Sequence, residues 1–369
     1  MIIGVPKEIK ADENRVGLLP GGAEQMVAAG HRVLVQAGAG LSSGVGDEDY
    51  LHTGARIVDD PAMIYAEADL IIKVKEPLFQ EYSLIRSGQV VFCYFHFAAD
   101  RALTEAMQAS QVVAIAYETI QRADGSLPLL IPMSEVAGRM AVQEGAKYLE
   151  KPLGGRGILL SGVPGVAPAD VVILGGGVVG SGAARIAAGI GANVFILDVD
   201  LNRLRYLSEV MPPNVTTLMS NPYNTKKLVV SADLLIGAVL ITGAKAPKLV
   251  TREMVRTMKE GAVLVDVAVD QGGCAETSRP TTHADPTYVV DGVIHYCVTN
   301  MPGAVPRTST FALTNATFRY ALEIANKGWE SAVRTNQEIA AGVNMVKGKV
   351  THPGVAEAWD IPLTLLTDI

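Results

Sequence analysis

The sequence is poor in cysteine, has no surplus of positive charge and has no long uninterrupted apolar run. Its three cysteines, Cys93, Cys274 and Cys297, stand far apart with no C-x-x-C pair. That spacing argues against a zinc site or a disulfide framework and for reduced, buried thiols. His31, His52, His283, His295 and His352 show no ligand spacing with one another. No metal is expected. The net charge is -7 and the pI near 5.5. An acidic surface repels phosphates on average, so nucleic acid is not an expected partner. The opening MIIGVPKEIK lacks a basic stretch followed by a long apolar one. No signal peptide is expected, and the cytoplasm is the default.

One segment imitates a membrane span. VVILGGGVVGSGAARIAAGIGANVFIL is apolar and sets Gly176 and Gly180 at G-x-x-x-G spacing, the pattern of a paired membrane helix. Arg185 and Asn193 lie inside it, and glycines interrupt its first half. A span stays near-continuously apolar over ~20 residues, so no membrane association is expected.

What is present is a chain of 369 residues with 49% apolar and 19% charged content. That is an ordinary globular composition, long enough for about two domains. The glycine-rich segment reads as strand, turn, helix, strand. DVVILG (170–175) is a β-branched run of the kind a buried parallel strand needs. Gly175, Gly177 and Gly180 then form G-x-G-x-x-G. The first permits a tight turn, the second lets the backbone approach a pyrophosphate, and the third lets helix and strand pack closely. The helix that opens there offers free N–H groups and a positive dipole end. NVFILD ends at Asp198, at about the ~20-residue spacing from the glycines where an acid meets the adenosine ribose hydroxyls. Such a carboxylate repels a 2′-phosphate and favours NAD over NADP. A purely structural turn is the alternative. Arg203 and Arg205 weaken the NAD reading, and a solvated helix face accounts for at least one of them.

ADLLIGAVLI (232–241) and GAVLVDVAVD (261–270) read as further strands. TREMVRTMKEG between them reads as a helix capped by Thr251 and ending before Gly261. The alternation implies a doubly wound parallel sheet, whose ligands bind at the carboxyl ends of its strands. Asp270, at such an end and followed by Gly272 and Gly273, is a candidate for the catalytic cleft or a simple turn cap.

Residues 1 to about 127 carry their own α/β rhythm. HRVLVQAG, ADLIIKVKEP, GQVVFCYFHF and VVAIAYET are strand-like; GGAEQMVAAG and DRALTEAMQAS are helix-like. Polar groups fall at strand ends: Lys75, His96 and Glu118. His96 is either a proton shuttle or a satisfied core residue. Lys73 and Lys75 share one face if the strand runs through them. They meet either an anionic substrate or surface acids such as Glu76 and Glu67. Arg15 suits bidentate carboxylate binding, or is a solvated loop residue.

These residues carry a resemblance. GVPKEIKADENRVGLLP, LIIKVKEP, HFAADRALTEAM, AYETIQ, PMSEVAGRMA, LGGGVVG, VDVAVDQGGCAETSRPTTH and VTNMPGAVPRTSTFALTNAT resemble the alanine dehydrogenase family from residue 1 to about 330, and thin out beyond about Thr335. The transhydrogenase α chain and the saccharopine dehydrogenases share that fold. The resemblance implies an α/β protein of two Rossmann-like domains, parallel sheets flanked by helices, with the active-site cleft between them. It implies a discontinuous substrate domain, 1–128 plus 307–369, around an NAD domain, 129–306. It implies reversible, NAD-dependent oxidative deamination of L-alanine to pyruvate and ammonium by a homo-hexamer. Glyoxylate or another oxo acid is the alternative substrate; a transhydrogenase subunit or a non-enzymatic NAD-binding protein is the alternative class.

Carried over by residue, the resemblance assigns catalysis to His96 and Asp270 and substrate binding to Arg15 and Lys75. It assigns NAD contacts to Ser134, to Gly175, Gly177, Val178, Val179 and Gly180, and to Asp198, Arg203 and Ser220. The remaining contacts are Val239 and Leu240, Val267, Ala268, Val269 and Asp270, then Arg279 and finally Val298, Thr299, Asn300 and Met301. It assigns nothing to Lys73. The loop has Gly176 where alanine is common, a position read as unconstrained.

Overall fold

A computed structural model describes residues 1–239 and 246–368. The chain forms two compact units, Met1–Met133 with Gly303–Ile369, and Ser134–Pro302. The first unit begins with β1 (Ile2–Val5), β2 (Arg32–Gln36), β3 (Arg56–Val58), β4 (Leu70–Ile72), β5 (Val90–Cys93) and β6 (Val113–Ala116). The second unit supplies β7 (Asp170–Leu174), β8 (Asn193–Asp198), β9 (Val215–Met219), β10 (Leu234–Gly237), β11 (Val263–Asp266), β12 (Thr287–Val290) and β13 (Val293–Tyr296). The chain then returns to the first unit with β14 (Val343–Val346) and β15 (Lys349–Val350).

In the first unit the strands order as β15-β14-β6-β5-β4-β1-β2-β3. β1 to β6 run parallel, and β14 and β15 form an antiparallel edge. In the second unit the order is β12-β13-β11-β10-β7-β8-β9, parallel except for β12. β4, β5, β6, β10 and β11 are buried along their whole length. Helices cover both faces of a parallel sheet, which is why these strands are continuous apolar runs rather than alternating ones. Tyr65, Ile71, Phe95, Phe97 and Leu103 centre one core, and Val172, Leu174, Val229, Leu235 and Leu264 another.

The strands are shorter than the apolar runs that announce them. β4 ends at Ile72, although the Lys73 N–H still donates to the Phe92 C=O at 3.2 Å. Both lysines therefore lie past the strand, and its period-two rule does not govern them. β5 ends at Cys93, so His96 sits in the following turn rather than directly at the strand end. β11 ends at Asp266, and Asp270 lies in a 3₁₀ turn, Val267–Gln271. The Asp266 carboxylate accepts the Ala268 N–H at 3.1 Å, which caps that turn and stops the strand. Thr251 caps a helix as expected, accepting the Met254 N–H at 3.2 Å. Among the described residues no helix is long and apolar enough to cross a membrane. All three cysteines are buried and free.

Candidate active site

In the first unit, sheet order decides which side chains meet. β5, β4 and β1 are neighbours and run parallel. Arg15 lies on the loop after β1, Lys75 just past β4, and His96 just past β5. Three neighbouring strands thus deliver three candidate groups at their carboxyl ends, where open parallel sheets bind ligands. β6, next in order, delivers Glu118.

Each group is held by acids or by rings. Arg15 is buried, and Glu13 clamps its guanidinium at two points, Nε to Oε1 at 2.7 Å and Nη2 to Oε2 at 2.6 Å. Its Nη1 reaches the Met133 sulfur at 2.9 Å. Burial by itself would raise the Glu13 pKa, but the Arg15 hydrogen bonds and charge outweigh it and hold it at about 2. Arg15 is therefore not the solvated loop residue that was the alternative. Lys75 is half-buried. Burial first, and then the Arg15 guanidinium, lower its pKa. Arg15 is thus close enough to act on Lys75 as a like charge, an arrangement suited to an anion.

Lys73 does something different. It is fully buried, with Nζ 2.8 Å from Glu81 Oε1 and 3.1 Å from Glu8 Oε2. Burial would lower its pKa, but the two carboxylates raise it. The acids suggested as its surface partners are engaged elsewhere: Glu76 with Lys10, and Glu67 with Arg32 and Arg56.

His96 is exposed and takes a left-handed backbone conformation, φ 53°. Only a few per cent of non-glycine residues adopt it. Glu118 holds it there, accepting the His96 N–H at 2.6 Å and the Phe95 N–H at 3.1 Å. The imidazole stacks on Tyr94, with ring centroids 5.9 Å apart. An exposed ring on a braced turn does not fit the core reading of His96.

The second unit follows the same topology with other means. Gly175 has φ +102° at the end of β7, and the Val178–Ile190 helix starts directly after Gly177. A Cβ on Gly180 would lie 1.8 Å from the Gly175 carbonyl oxygen, so helix and turn could not approach. A Cβ on Gly177 would meet nothing within 4 Å. Nothing in the protein's own packing requires glycine at 177, and the space left open there, at the helix N-terminus, would admit a pyrophosphate. The loop fits a dinucleotide on both counts. Gly176 is less free than expected: a Cβ there would lie 2.9 Å from Leu207 Cδ1 and 3.0 Å from Asp198 Oδ2.

Asp198 Oδ2 accepts the Gly176 N–H at 2.6 Å, and Arg203 Nε donates to the Gly176 C=O at 2.6 Å. Both residues therefore brace the glycine turn from below, a task the spacing alone did not reveal. Arg205 is exposed and bonds Asn202 on its own helix at 2.8 Å, so of the two arginines it is the one that fits a solvated helix face. Ser220 follows β9, Val239 follows β10, Val267–Asp270 follow β11, and Val298–Met301 follow β13. All sit past carboxyl ends of parallel strands. Ser134, on the Ile131–Tyr148 helix, and Arg279, stacked 4.0 Å over the Tyr288 ring, do not. Leu240 lies outside the described residues.

Glu8, Glu13 and Asp266 went unmentioned in the sequence reading. Asp266 is fully buried and accepts from Cys274 N–H at 2.8 Å, Ala275 N–H at 3.3 Å and the Ser278 hydroxyl as well as from Ala268. One carboxylate therefore fixes the turn that carries Asp270. A signal existed for it, since a charged residue closing an otherwise apolar strand needs several donors.

A doubly wound sheet with this glycine turn, in one chain with a second sheet whose strand ends bear Arg, Lys and His, defines a nicotinamide-dependent oxidoreductase. The models for Alanine dehydrogenase/PNT match it twice, the N-terminal domain over residues 4–137 and the C-terminal domain over 141–353. The chain belongs to the alanine dehydrogenase/PNT family. An alanine dehydrogenase of Methanococcus maripaludis is 57% identical over 365 residues, covering 99% of this chain and 98% of that protein. One of Bacillus subtilis is 57% identical over 357 residues, covering 96% and 94%. A solved L-alanine dehydrogenase superposes with a TM-score of 0.95 at 49% identity, covering 98% of this chain and 99% of its own. The transhydrogenase of Sinorhizobium meliloti superposes at 0.81 with 26% identity, covering 96% and 99%. The likeness thus extends through the tail beyond Thr335, where the motifs had thinned.

Proposed function

We propose that the chain catalyses the reversible oxidative deamination of L-alanine to pyruvate and ammonium with NAD⁺. The observation that carries this is the convergence of Arg15, Lys75 and His96 past three neighbouring parallel strands. The names and near-complete coverage of the relatives support the substrate. The Met1–Met133 and Gly303–Ile369 unit binds the amino acid, and the Ser134–Pro302 unit binds the dinucleotide. Asp198 favours NAD over its 2′-phosphorylated form by charge.

NAD⁺ supplies the hydride acceptor for the Cα hydrogen of alanine. Arg15 and Lys75 hold the substrate carboxylate and the oxygen that develops at Cα. A neutral His96 removes a proton from the water that adds to the iminium carbon. It returns a proton to nitrogen as the carbinolamine collapses. Alanine, NAD⁺ and water give pyruvate, ammonium, NADH and one proton. Asp270 organises the nicotinamide ribose and assists proton transfer. The chain acts as a cytoplasmic homo-hexamer on this reading, which light scattering checks as a particle of six 38.9 kDa subunits.

The test is spectrophotometric: purified chain with NAD⁺ and L-alanine at alkaline pH, followed for NADH. D-Alanine and NADP⁺ run beside it, as does glyoxylate with ammonium and NADH. NADH from L-alanine with NAD⁺ alone is the expected result. Silence with L-alanine in a protein that binds NADH overturns the substrate, and activity on glyoxylate only would replace it.

A further inference from the structure

Arg15 and Lys75 belong to different loops, and a single carboxylate can bridge them only if the loops keep a fixed spacing. Glu13 fixes Arg15 from within the first loop. Two acids tie the loops to one another: Glu76, paired with Lys10 near the surface, and the buried Glu8, which lies on the Arg15 loop after β1. Glu8 Oε1 accepts the Val74 N–H at 2.6 Å and the Lys75 N–H at 3.2 Å, both past β4. Its Oε2 lies 3.1 Å from Lys73 Nζ. Lys73 in turn donates to Glu81 Oε1 at 2.8 Å, and the Tyr65 hydroxyl donates to the same oxygen at 2.7 Å. Glu8 is 7% exposed, Lys73 0% and Glu81 4%.

Three buried charges are a poor device for stability, because apolar replacements of such clusters are often neutral or stabilising. No step of the proposed reaction uses Glu8, Lys73 or Glu81. Burial pushes Glu8 toward its neutral form, and Lys73 is the opposing charge. A carboxylate kept ionised can take two backbone N–H groups on one oxygen and hold them close.

We infer that Glu8 is a positioning residue, which sets the Lys75 ammonium against Arg15 by gripping the backbone that carries it. The inference rests on the reading that Lys75 binds substrate. Lys73 serves Glu8 rather than the substrate, which accounts for two lysines so close together with opposite environments.

The test compares two double variants of the full chain. Glu8→Gln with Lys73→Met and Glu8→Leu with Lys73→Met both remove the ion pair. Only the first keeps an oxygen that can accept from Val74 and Lys75. The glutamine pair should hold KM for L-alanine within about threefold. The leucine pair should raise it about tenfold or more, the order of effect of leaving a buried N–H unpaired. NADH affinity should stay unchanged in both. Equal KM in the two pairs overturns the inference. Glu8→Asp keeps the charge but withdraws the acceptor by one methylene. It should raise KM as well, and it decides the matter if the leucine pair does not fold; wild-type KM in Glu8→Asp then overturns the inference.

A double-mutant cycle separates positioning from general destabilisation. On a Lys75→Ala background, Glu8→Asp should add little to KM. Full additivity overturns the role through Lys75. Should Lys75→Ala alone leave KM unchanged, the substrate reading fails first, and the inference fails with it.

Discussion

The two units place candidate groups past the carboxyl ends of parallel strands, but by opposite means. The Ser134–Pro302 unit works by omission: Gly177 has open space where a side chain would stand, and Gly180 lets a helix touch a turn. The other unit works by charge: Arg15, Lys75 and the backbone of His96 are each set by a carboxylate, from Glu13, Glu8 and Glu118. A site made of main chain should fail when atoms are added. A site made of charged side chains should fail when they are removed.

The largest effects sharpen that contrast directly. His96→Ala should lower kcat by ~10²–10⁴ while NADH binding survives. Turnover near the parent's would remove His96 from the mechanism. In the other unit, Gly180→Ala should destabilise by about 3 kcal/mol or more, since its Cβ has no room beside Gly175. Gly177→Ala should leave stability within about 0.5 kcal/mol yet weaken NADH binding by ~10-fold or more, as titration by fluorescence would read. Equal behaviour of the two glycine variants would break the account of the loop.

Lys75→Met tests the charged site from two sides. The folded protein lowers the Lys75 pKa, so the ammonium is disfavoured by folding, and at neutral pH its removal should stabilise. The expected rise in melting temperature is about 1–3 °C, with KM for alanine raised ~10–100-fold by the lost charged contact. A fall in melting temperature would contradict the crowding of Lys75 against Arg15.

The last test concerns acid. Glu13 is depressed from 4.5 to about 2, by Arg15 against the opposing effect of burial. A depressed acid contributes stability that is fully present above its unfolded pKa and is lost as pH falls through the folded one. Between pH 4.5 and 2 the parent should therefore lose on the order of 3 kcal/mol more stability than Glu13→Gln. Glu8 shifts the other way but is common to both proteins. Denaturant titrations at several pH values in that window read the difference.

The same contrast explains what was legible in the sequence. The glycine turn was, because every residue that defines it is local and the missing Cβ atoms are themselves the signal. Lys73 was not, because Glu8 and Glu81 become its partners only when separate segments fold together. Strand limits were overrun at β4, β5 and β11 because apolar composition continues past the last ladder residue; what stops β11 is a side chain, Asp266, capping the next turn. The tail was passed over, although Lys347 and Gly348 stand between two short β-like runs. Both adopt positive φ, 50° and 74°, as a tight hairpin turn needs.

That hairpin has a consequence for synthesis. β14 pairs with β6 by Val343 against Ile115, so the first sheet joins residues made early to residues made near the end. At roughly 5–20 residues per second, β6 waits tens of seconds on the ribosome for its neighbour. The second unit, Ser134–Pro302, is continuous and is complete while that wait lasts. Nascent chains stalled just past it should already be retained by immobilised dinucleotide, with the earlier strands still open to protease. The waiting strand edge is then the part of the newborn chain most in need of a chaperone.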